Sequence, residues 1–260
     1  MTHENEYDDN MVTMLELIWG QGYMAPGGPG NVARLLDGMD TRDKRILDIG
    51  CGIGGPAFEM VRSHGAEVVG IDLERPLIER ATAAAIRNGL GDRCQFQTVE
   101  IGPLPFPDES FDIVVSSGAI TQTGDKDSLL GEAYRVLKPG GYMTCYEWMK
   151  SERELSDDML YWIKVEELTF EMETLQQYDD RLRSAGFREV VTTDASDWYR
   201  AEARREYELV KGRLYDRMVE LLGRDSADHF VEDWRAMVVV CDSGEMRQGY
   251  CRGCKRLPDK

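Results

Sequence analysis

Ile46–Gly55 reads ILDIGCGIGG, an apolar strand pattern that runs straight into a glycine-rich loop. Glycine there lets a ligand approach the backbone closely, and a helix starting just after it offers its first amides. Read as Gly50-x-Gly52-x-x-Gly55, the loop matches the dinucleotide fingerprint. Read as Asp48-x-Gly50-x-Gly52-x-Gly54, it does not. Asp48 separates the two readings. Beside a pyrophosphate its carboxylate would face two phosphate charges, each repelled by on the order of 4 kcal/mol at about 4 Å and surface-like dielectric. It suits a ligand that is cationic at that point. Asp72 ends the next strand pattern, where an acid accepts from ribose hydroxyls. NAD-binding sites use the same device, so Asp72 alone does not discriminate.

The elements that must position these residues follow a βα rhythm. Residues 11–19 predict a short helix, 20–30 a glycine- and proline-rich loop, and Asn31–Leu36 the start of a second helix. Strands are expected at Arg45–Ile49, Glu67–Asp72, Cys94–Val99, Phe111–Ser116 and Tyr142–Glu147. Helices fall between them: Pro56 to about Ser63, Pro76–Asn88 and Lys126–Leu137, the last stopped by Pro139-Gly140-Gly141. Alternating strands and helices imply parallel pairing with right-handed crossovers, and a ligand beyond the strands' carboxyl ends. After Trp148 the texture becomes charged and aromatic. Ser151–Leu168, Tyr178–Ala185, Asp197–Leu222 and Ala227–Arg235 read as helical, with strands at Phe187–Thr193 and Arg247–Arg252. The expected architecture is an α/β, doubly wound sheet whose late helices form a cap over its carboxyl edge. A single domain overall divides into residues 1–30 as an N-terminal helical lid, 31–149 as the ligand-binding core, and 150–260 as remaining strands with the inserted cap.

Bulk properties exclude several function classes. The 260 residues carry a formal net charge of -17, which repels phosphate backbones and argues against nucleic acid as partner. The first ten residues are polar and acidic, and no apolar run approaches the length of a membrane span. A cytoplasmic location is expected, with free thiols at most of the six cysteines and a monomer or homodimer as the assembly. Cys251-x-x-Cys254 lacks a second pair with zinc-finger spacing, and strand alternation would point the two to opposite faces. No metal site is expected.

The chain resembles the class I S-adenosylmethionine-dependent methyltransferases. The residues that carry the likeness are ILDIGCGIGG, VVGIDL (Val68–Leu73), FPDESFDIVVSSGAI (Phe106–Ile120) and RVLKPGG (Arg135–Gly141), in the family's order over roughly the first 150 residues. The resemblance implies a seven-stranded Rossmann-like sheet with its last strand antiparallel. It implies S-adenosyl-L-methionine as cofactor, S-adenosyl-L-homocysteine as product, and no metal. By the same resemblance Gly50 and Gly52 line the cofactor, Asp72 takes its ribose, and Glu100 and Ile101 flank its adenine. Asp48 faces its ammonium, and Cys51, Leu73, Ser116 and Tyr23 complete the expected contacts.

Within that family, EYDDNMVTMLELIWGQGYMAPGG (Glu6–Gly28), LSDDMLYWIK (Leu155–Lys164) and the closing MRQGYCRGCK look like phosphoethanolamine N-methyltransferases. So do Phe187–Trp198 and the region around Gln177-Tyr178-Asp179. SSGAITQTGDK (Ser116–Lys126) is similar to the matching loop of sarcosine/dimethylglycine N-methyltransferases. The likeness implies methyl transfer to a small polar acceptor, an amine nitrogen of the phosphoethanolamine or glycine-derived kind. Tyr7 matches a catalytic tyrosine. Its partner in those enzymes is a histidine, and Gln122 stands in that place here. Gln122 donates and accepts hydrogen bonds but takes no proton. Gly118 replaces an aspartate of that loop, and Met24-Ala25-Pro26 replaces a serine-bearing stretch. The acceptor's expected contacts are Tyr161, Trp162, Tyr178 and Arg181, with Arg183 as an alternative anion holder and His229 as an alternative base.

Other readings compete. Thioether or carbon methylation is one, since GCGIGGP also resembles sterol C-methyltransferases. A charge-rich cap fits a sterol poorly. An NAD-dependent oxidoreductase is opposed by Asp48. A catalytically silent S-adenosylmethionine-binding protein gains support from Gln122.

Overall fold

The computed structural model describes residues 7–257, so the first six residues of the expected lid lie outside the described part. Helices α1 (Asp9–Trp19) and α2 (Gly28–Leu35) precede the alternating core β1 (Arg45–Ile49), α3 (Gly55–His64), β2 (Glu67–Asp72), α4 (Arg75–Arg87), β3 (Cys94–Thr98), β4 (Phe111–Ser117), α5 (Lys126–Val136) and β5 (Leu137–Lys150). Then come α6 (Asp157–Glu166), α7 (Leu175–Ser184), β6 (Arg188–Asp194), α8 (Ser196–Glu208), α9 (Tyr215–Leu222), α10 (Arg224–Asp242) and β7 (Met246–Cys254). The strands form one seven-stranded sheet in the order β3-β2-β1-β4-β5-β7-β6, with β1 to β5 parallel and β7 antiparallel to both neighbours. This is the seven-stranded Rossmann-like sheet, with its last strand antiparallel, that the resemblance implies. Among the described residues no helix is long and apolar enough to cross a membrane.

The order reverses between β1 and β4, and the crevice at that switch is where an open α/β sheet binds its ligand. The strands there are apolar on both faces because helices cover both. Leu47, Ile49, Val69 and Val114 pack on one side, Ile46, Val68, Ile113 and Val115 on the other.

Several boundaries differ from expectation for identifiable reasons. β5 begins at Leu137, not Tyr142, because Pro139-Gly140-Gly141 forms an irregular step within the strand instead of ending a helix. Gly140 takes φ +79°, and a Cβ on Gly141 would sit 2.6 Å from the Asp112 carbonyl oxygen. β5 also runs on to Lys150, beyond the end of β4, paired all the way with β7. That overhang lifts Trp148 into the cap. α6 starts only at Asp157, where the Ser156 hydroxyl caps it and Glu245 holds Ser156 in turn. The long helical stretch after Asp197 breaks at a wide turn, Leu209–Arg213, and α10 extends to Asp242, burying Ala236, Met237, Val240 and Cys241. α7 lies against the sheet, not in the cap: Tyr178 and Leu182 pack with Val114 and Phe187. The cap core is built by α1, α6, α8, α9 and α10 around Trp148, Trp162, Tyr199 and Trp234.

Candidate active site

The glycine loop is pinned by backbone first. The amides of Gly50 and Cys51 both donate to the Ile71 carbonyl, at 2.8 and 3.0 Å, which ties the end of β1 to the end of β2. Gly50 holds φ +70°, and a Cβ there would lie 2.1 Å from the Ala119 Cβ, so the loop touches the turn that follows β4. Asp72 then fixes the loop from the other side. Its two carboxylate oxygens accept from the Gly52 amide at 2.9 Å and the Glu74 amide at 3.0 Å. Beyond it, Leu73 and Ile101 are 45% and 70% exposed and leave apolar side chains that suit the flat face of a base. Glu100 is exposed beside them.

Asp48 is 1% exposed, and its Oδ2 has no hydrogen-bond partner among the described residues. A buried carboxylate oxygen without a partner is costly unless something positive meets it. Burial, with the Asp72 charge adding to it, pushes the carboxyl of Asp48 up to about 7. Cys51 and Ser116 are placed differently from the expected contacts. The Cys51 side chain is buried with its thiol pushed up by burial, and the Ser116 hydroxyl, fully buried, donates to Glu147. Tyr23 lies along α3 beside Glu59 and Arg62, with burial and Glu59 raising its phenol to about 12.

The segment between α1 and α2 closes over the loop. Glu16 accepts from the Gly22 amide at 2.7 Å, and the Gly22 carbonyl accepts from the Gly55 amide at 2.9 Å. Met24 lies over the loop, its Sδ 2.9 Å from where a Cβ on Gly52 would be. Val12 of α1 packs with Ile53 and Leu77, and Tyr7 and Met24 flank that contact. The structure brings Tyr7 and Gln122 together: Gln122 Nε2 donates to Tyr7 Oη at 3.0 Å, across 115 positions of sequence.

Gln122 is held by a residue that sequence reasoning missed. The 3-10 turn Ile120–Gln122 hangs on Glu147, whose oxygens accept from the Thr121 amide at 3.0 Å and the Ser116 hydroxyl at 3.1 Å. Thr121 Oγ1 also donates to the Trp148 carbonyl at 3.0 Å. Glu147 is fully buried, and desolvation pushes it up to about 7 against its hydrogen bonds and the Lys126 charge. The available signal was one acid inside the otherwise buried run Met143–Met149. A carboxyl raised in the fold adds stability at low pH that is lost as pH rises through about 7. Glu147→Gln should therefore reduce the drop in melting temperature between pH 6 and pH 8, with an unchanged drop as the contrary result. Its amide offers a single acceptor oxygen, so it should also weaken the turn that carries Gln122.

The expected acceptor contacts divide. Trp162 is fully buried and stacks with Trp148 and Phe170, ring centroids 6.1 and 5.4 Å apart. The Trp148 indole reaches Gly118, its Nε1 3.4 Å from the position of a Cβ there. Tyr161 is 45% exposed, and its hydroxyl donates to Glu232. Tyr178 is wholly buried in the sheet core, a correction that follows from the placement of α7. Arg181 is likewise not at this site: it pairs with Glu173 at 2.5 Å and Asp127 at 2.6 Å. Arg183 pairs with Asp179, and His229 rests against Phe230. Cys251 faces Cys145 across the β5–β7 pair while Cys254 lies on the other face. No metal-binding cluster occurs among the described residues.

Residues 40–202 match the family model described as a methyltransferase domain, and that span contains the loop, Asp72, the Gln122 turn and Glu147. The chain belongs to this methyltransferase family. Phosphoethanolamine N-methyltransferase 3 of Arabidopsis thaliana is 29% identical over 245 residues, covering 94% of this chain and 49% of the relative. The chain thus spans about half the length of the plant relatives it matches. Phosphoethanolamine N-methyltransferase of Plasmodium falciparum is 26% identical, with 96% of this chain and 94% of the relative covered. Among solved structures, Haemonchus contortus phosphoethanolamine N-methyltransferase 2, in complex with phosphomonomethylethanolamine and S-adenosylhomocysteine, superposes with TM-score 0.90. Its identity is 22%, covering 97% of this chain and 59% of that one, so it supports the fold of this methyltransferase domain.

Proposed function

We propose that this chain transfers a methyl group from S-adenosyl-L-methionine to the amine nitrogen of a small polar acceptor, leaving S-adenosyl-L-homocysteine. The observation that carries the reading is the unpartnered Oδ2 of Asp48 beneath a glycine loop whose outer edge shows Leu73 and Ile101. One buried negative oxygen, a loop without side chains, and an apolar platform suit an ammonium, a sulfonium-bearing chain and an adenine in turn. A pyrophosphate would meet the same Asp48 and be repelled. When bound, the cofactor supplies an electrophilic methyl open to in-line attack.

In this reading Asp72 orients a ribose while keeping the loop closed through the Gly52 amide. The loop backbone of Gly50 and Gly52 lines the ligand, with Cys51 contributing main chain only. Residues 1–30 act as a lid, with Glu16 and the Gly22–Gly55 contact setting where it closes. Residues 31–149 hold the cofactor, and 150–260 complete the sheet and cap the acceptor. Tyr7 and Gln122 position the acceptor nitrogen. Gln122 takes no proton, and in this scheme the nitrogen arrives with its lone pair free or loses its proton to solvent. Alignment in a closed site supplies the rate, and well-oriented reactants can gain ~7–11 kcal/mol in this way. A cytoplasmic monomer or homodimer without nucleic-acid or membrane partners completes the reading, supported by the net charge of -17.

Tyr7→Phe keeps the ring and removes the hydroxyl that meets Gln122. It should lower kcat/KM by roughly threefold to tenfold, the worth of one neutral hydrogen bond, with cofactor affinity unchanged. A loss of several orders of magnitude would instead make Tyr7 the proton acceptor and refute the base-free scheme.

A further inference from the structure

The chemistry around the acceptor is one-sided. Tyr7 packs against the aromatic core that holds Trp148, Trp162 and Phe170, and those three rings stack at 19–29° between ring planes. Such faces hold cations and methylated ammonium groups through the ring quadrupole. The buried ionisable groups around and under the cap, Glu147, Glu206, Asp233 and Glu245, are acids, which offer no positive charge from behind. Glu206 is clasped by the indoles of Trp19 and Trp234, at 2.8 and 3.2 Å.

Among the described residues no basic side chain lies over Trp148, Trp162 or Phe170. Among the described residues two basic side chains are buried, Lys126 and Lys255. Lys255 sits at the opposite edge of the sheet, where β7 ends beside the start of β5. Lys126 Nζ is taken by the carbonyls of Thr123 and Glu171, at 2.7 and 2.8 Å. Several arginines of the cap pair with surface carboxylates, Arg204 with Asp242, Arg205 with Glu202 and Arg235 with Glu232. Enclosing a phosphate dianion calls for guanidinium, ammonium or a cluster of amides aimed at it. An aromatic wall backed by carboxylates provides none of these.

Resting on the methyltransferase reading, we infer that the acceptor of this chain carries no phosphate: it is a small amine whose nitrogen sits against aromatic faces and whose remainder is uncharged or positive. In this the site departs from the Haemonchus neighbour, which was solved with a phosphorylated amine.

The test compares two ligands that differ only in the phosphate. The chain is first saturated with S-adenosylhomocysteine, and calorimetry shows whether that step occurs. N-methylethanolamine and phosphomonomethylethanolamine are then titrated separately at fixed ionic strength. The inference expects the phosphorylated amine to bind at least about tenfold more weakly than its counterpart, or not at all. Equal or tighter binding of the phosphorylated amine overturns it. Failure of S-adenosylhomocysteine to bind in the first step refutes the methyltransferase reading instead, so the two failures are told apart.

Discussion

Asp48→Asn should abolish useful affinity for S-adenosylmethionine while leaving the empty protein at least as stable as before. The two halves of that result come from one physical cause. Asp48 is buried with an oxygen that no described group satisfies, and its carboxyl is raised to about 7 by burial and by Asp72. A ligand ammonium that loses its carboxylate partner is left as an uncompensated buried charge, costing about 3 kcal/mol or more, which is two orders of magnitude in affinity. The apo chain loses a liability instead. Because the folded value is raised, the stability tied to this group is present at low pH and is lost as pH rises through about 7. The asparagine variant should accordingly melt higher than the parent at pH 8, with the difference shrinking as pH falls towards 3.8. In the parent, cofactor affinity should rise with pH across the same window, since binding requires the ionised form. Unchanged affinity in the variant, or affinity that falls as pH rises, would show that the ammonium is held elsewhere.

Gly55→Ala carries the second large effect, and it acts on the lid. The Gly55 amide donates to the Gly22 carbonyl at 2.9 Å, which is the seam between the α1–α2 segment and the start of α3. A Cβ on Gly55 would lie 2.2 Å from the Gly22 oxygen and 2.5 Å from its carbon. Those are backbone atoms, so no side-chain rotation relieves the overlap. The segment must move away, carrying Met24 off Gly52 and shifting Tyr7 from Gln122. Displacements of about 1 Å at a reacting centre can cost on the order of 100-fold in rate. The expected result is a fall of that size in kcat/KM, with a lid more open to proteolysis near residues 20–27. A variant with parental activity would mean that the seam is not part of the working site. Gly54→Ala makes a useful contrast, because its clashes are with the Phe58 and Phe96 rings. That change strains the loop backbone, where Gly54 holds φ +91°, and disturbs packing under the loop without a direct clash at Gly22.

These two positions also show what sequence alone conveyed. The loop was legible because Asp48, Gly50, Gly52 and Gly54 are local: carboxylate and glycines lie within seven residues at the end of one strand, and spacing encodes their geometry. The alternating strands and helices were legible for the same reason, and every strand of the sheet falls within or overlaps its expected span. Glu147 was not legible, because its role depends on an amide 26 positions earlier in the chain. Tyr178 and Arg181 show the converse. Their spacing does place them on one helix, yet which side of the sheet that helix covers is settled by packing against Val114 and Phe187. A helix between β5 and β6 that lies on the sheet has the same amphipathic pattern as one in the cap. Pro139-Gly140-Gly141 misleads in a similar way, since a turn-forming tripeptide also serves as a step inside a strand where two backbones come close. Family likeness did identify Tyr7 and Gln122 as a pair, and no periodicity argument links residues separated by 115 positions.

The central claim is that the glycine loop and Asp48 hold a cationic S-adenosyl ligand and not a dinucleotide pyrophosphate. Calorimetric titration of the purified chain with S-adenosylhomocysteine and, separately, with NAD tests it most directly. The account predicts saturable binding of S-adenosylhomocysteine at one site per chain, strengthening as pH rises through about 7, and no measurable heat with NAD. Saturable binding of NAD with no binding of S-adenosylhomocysteine would contradict it.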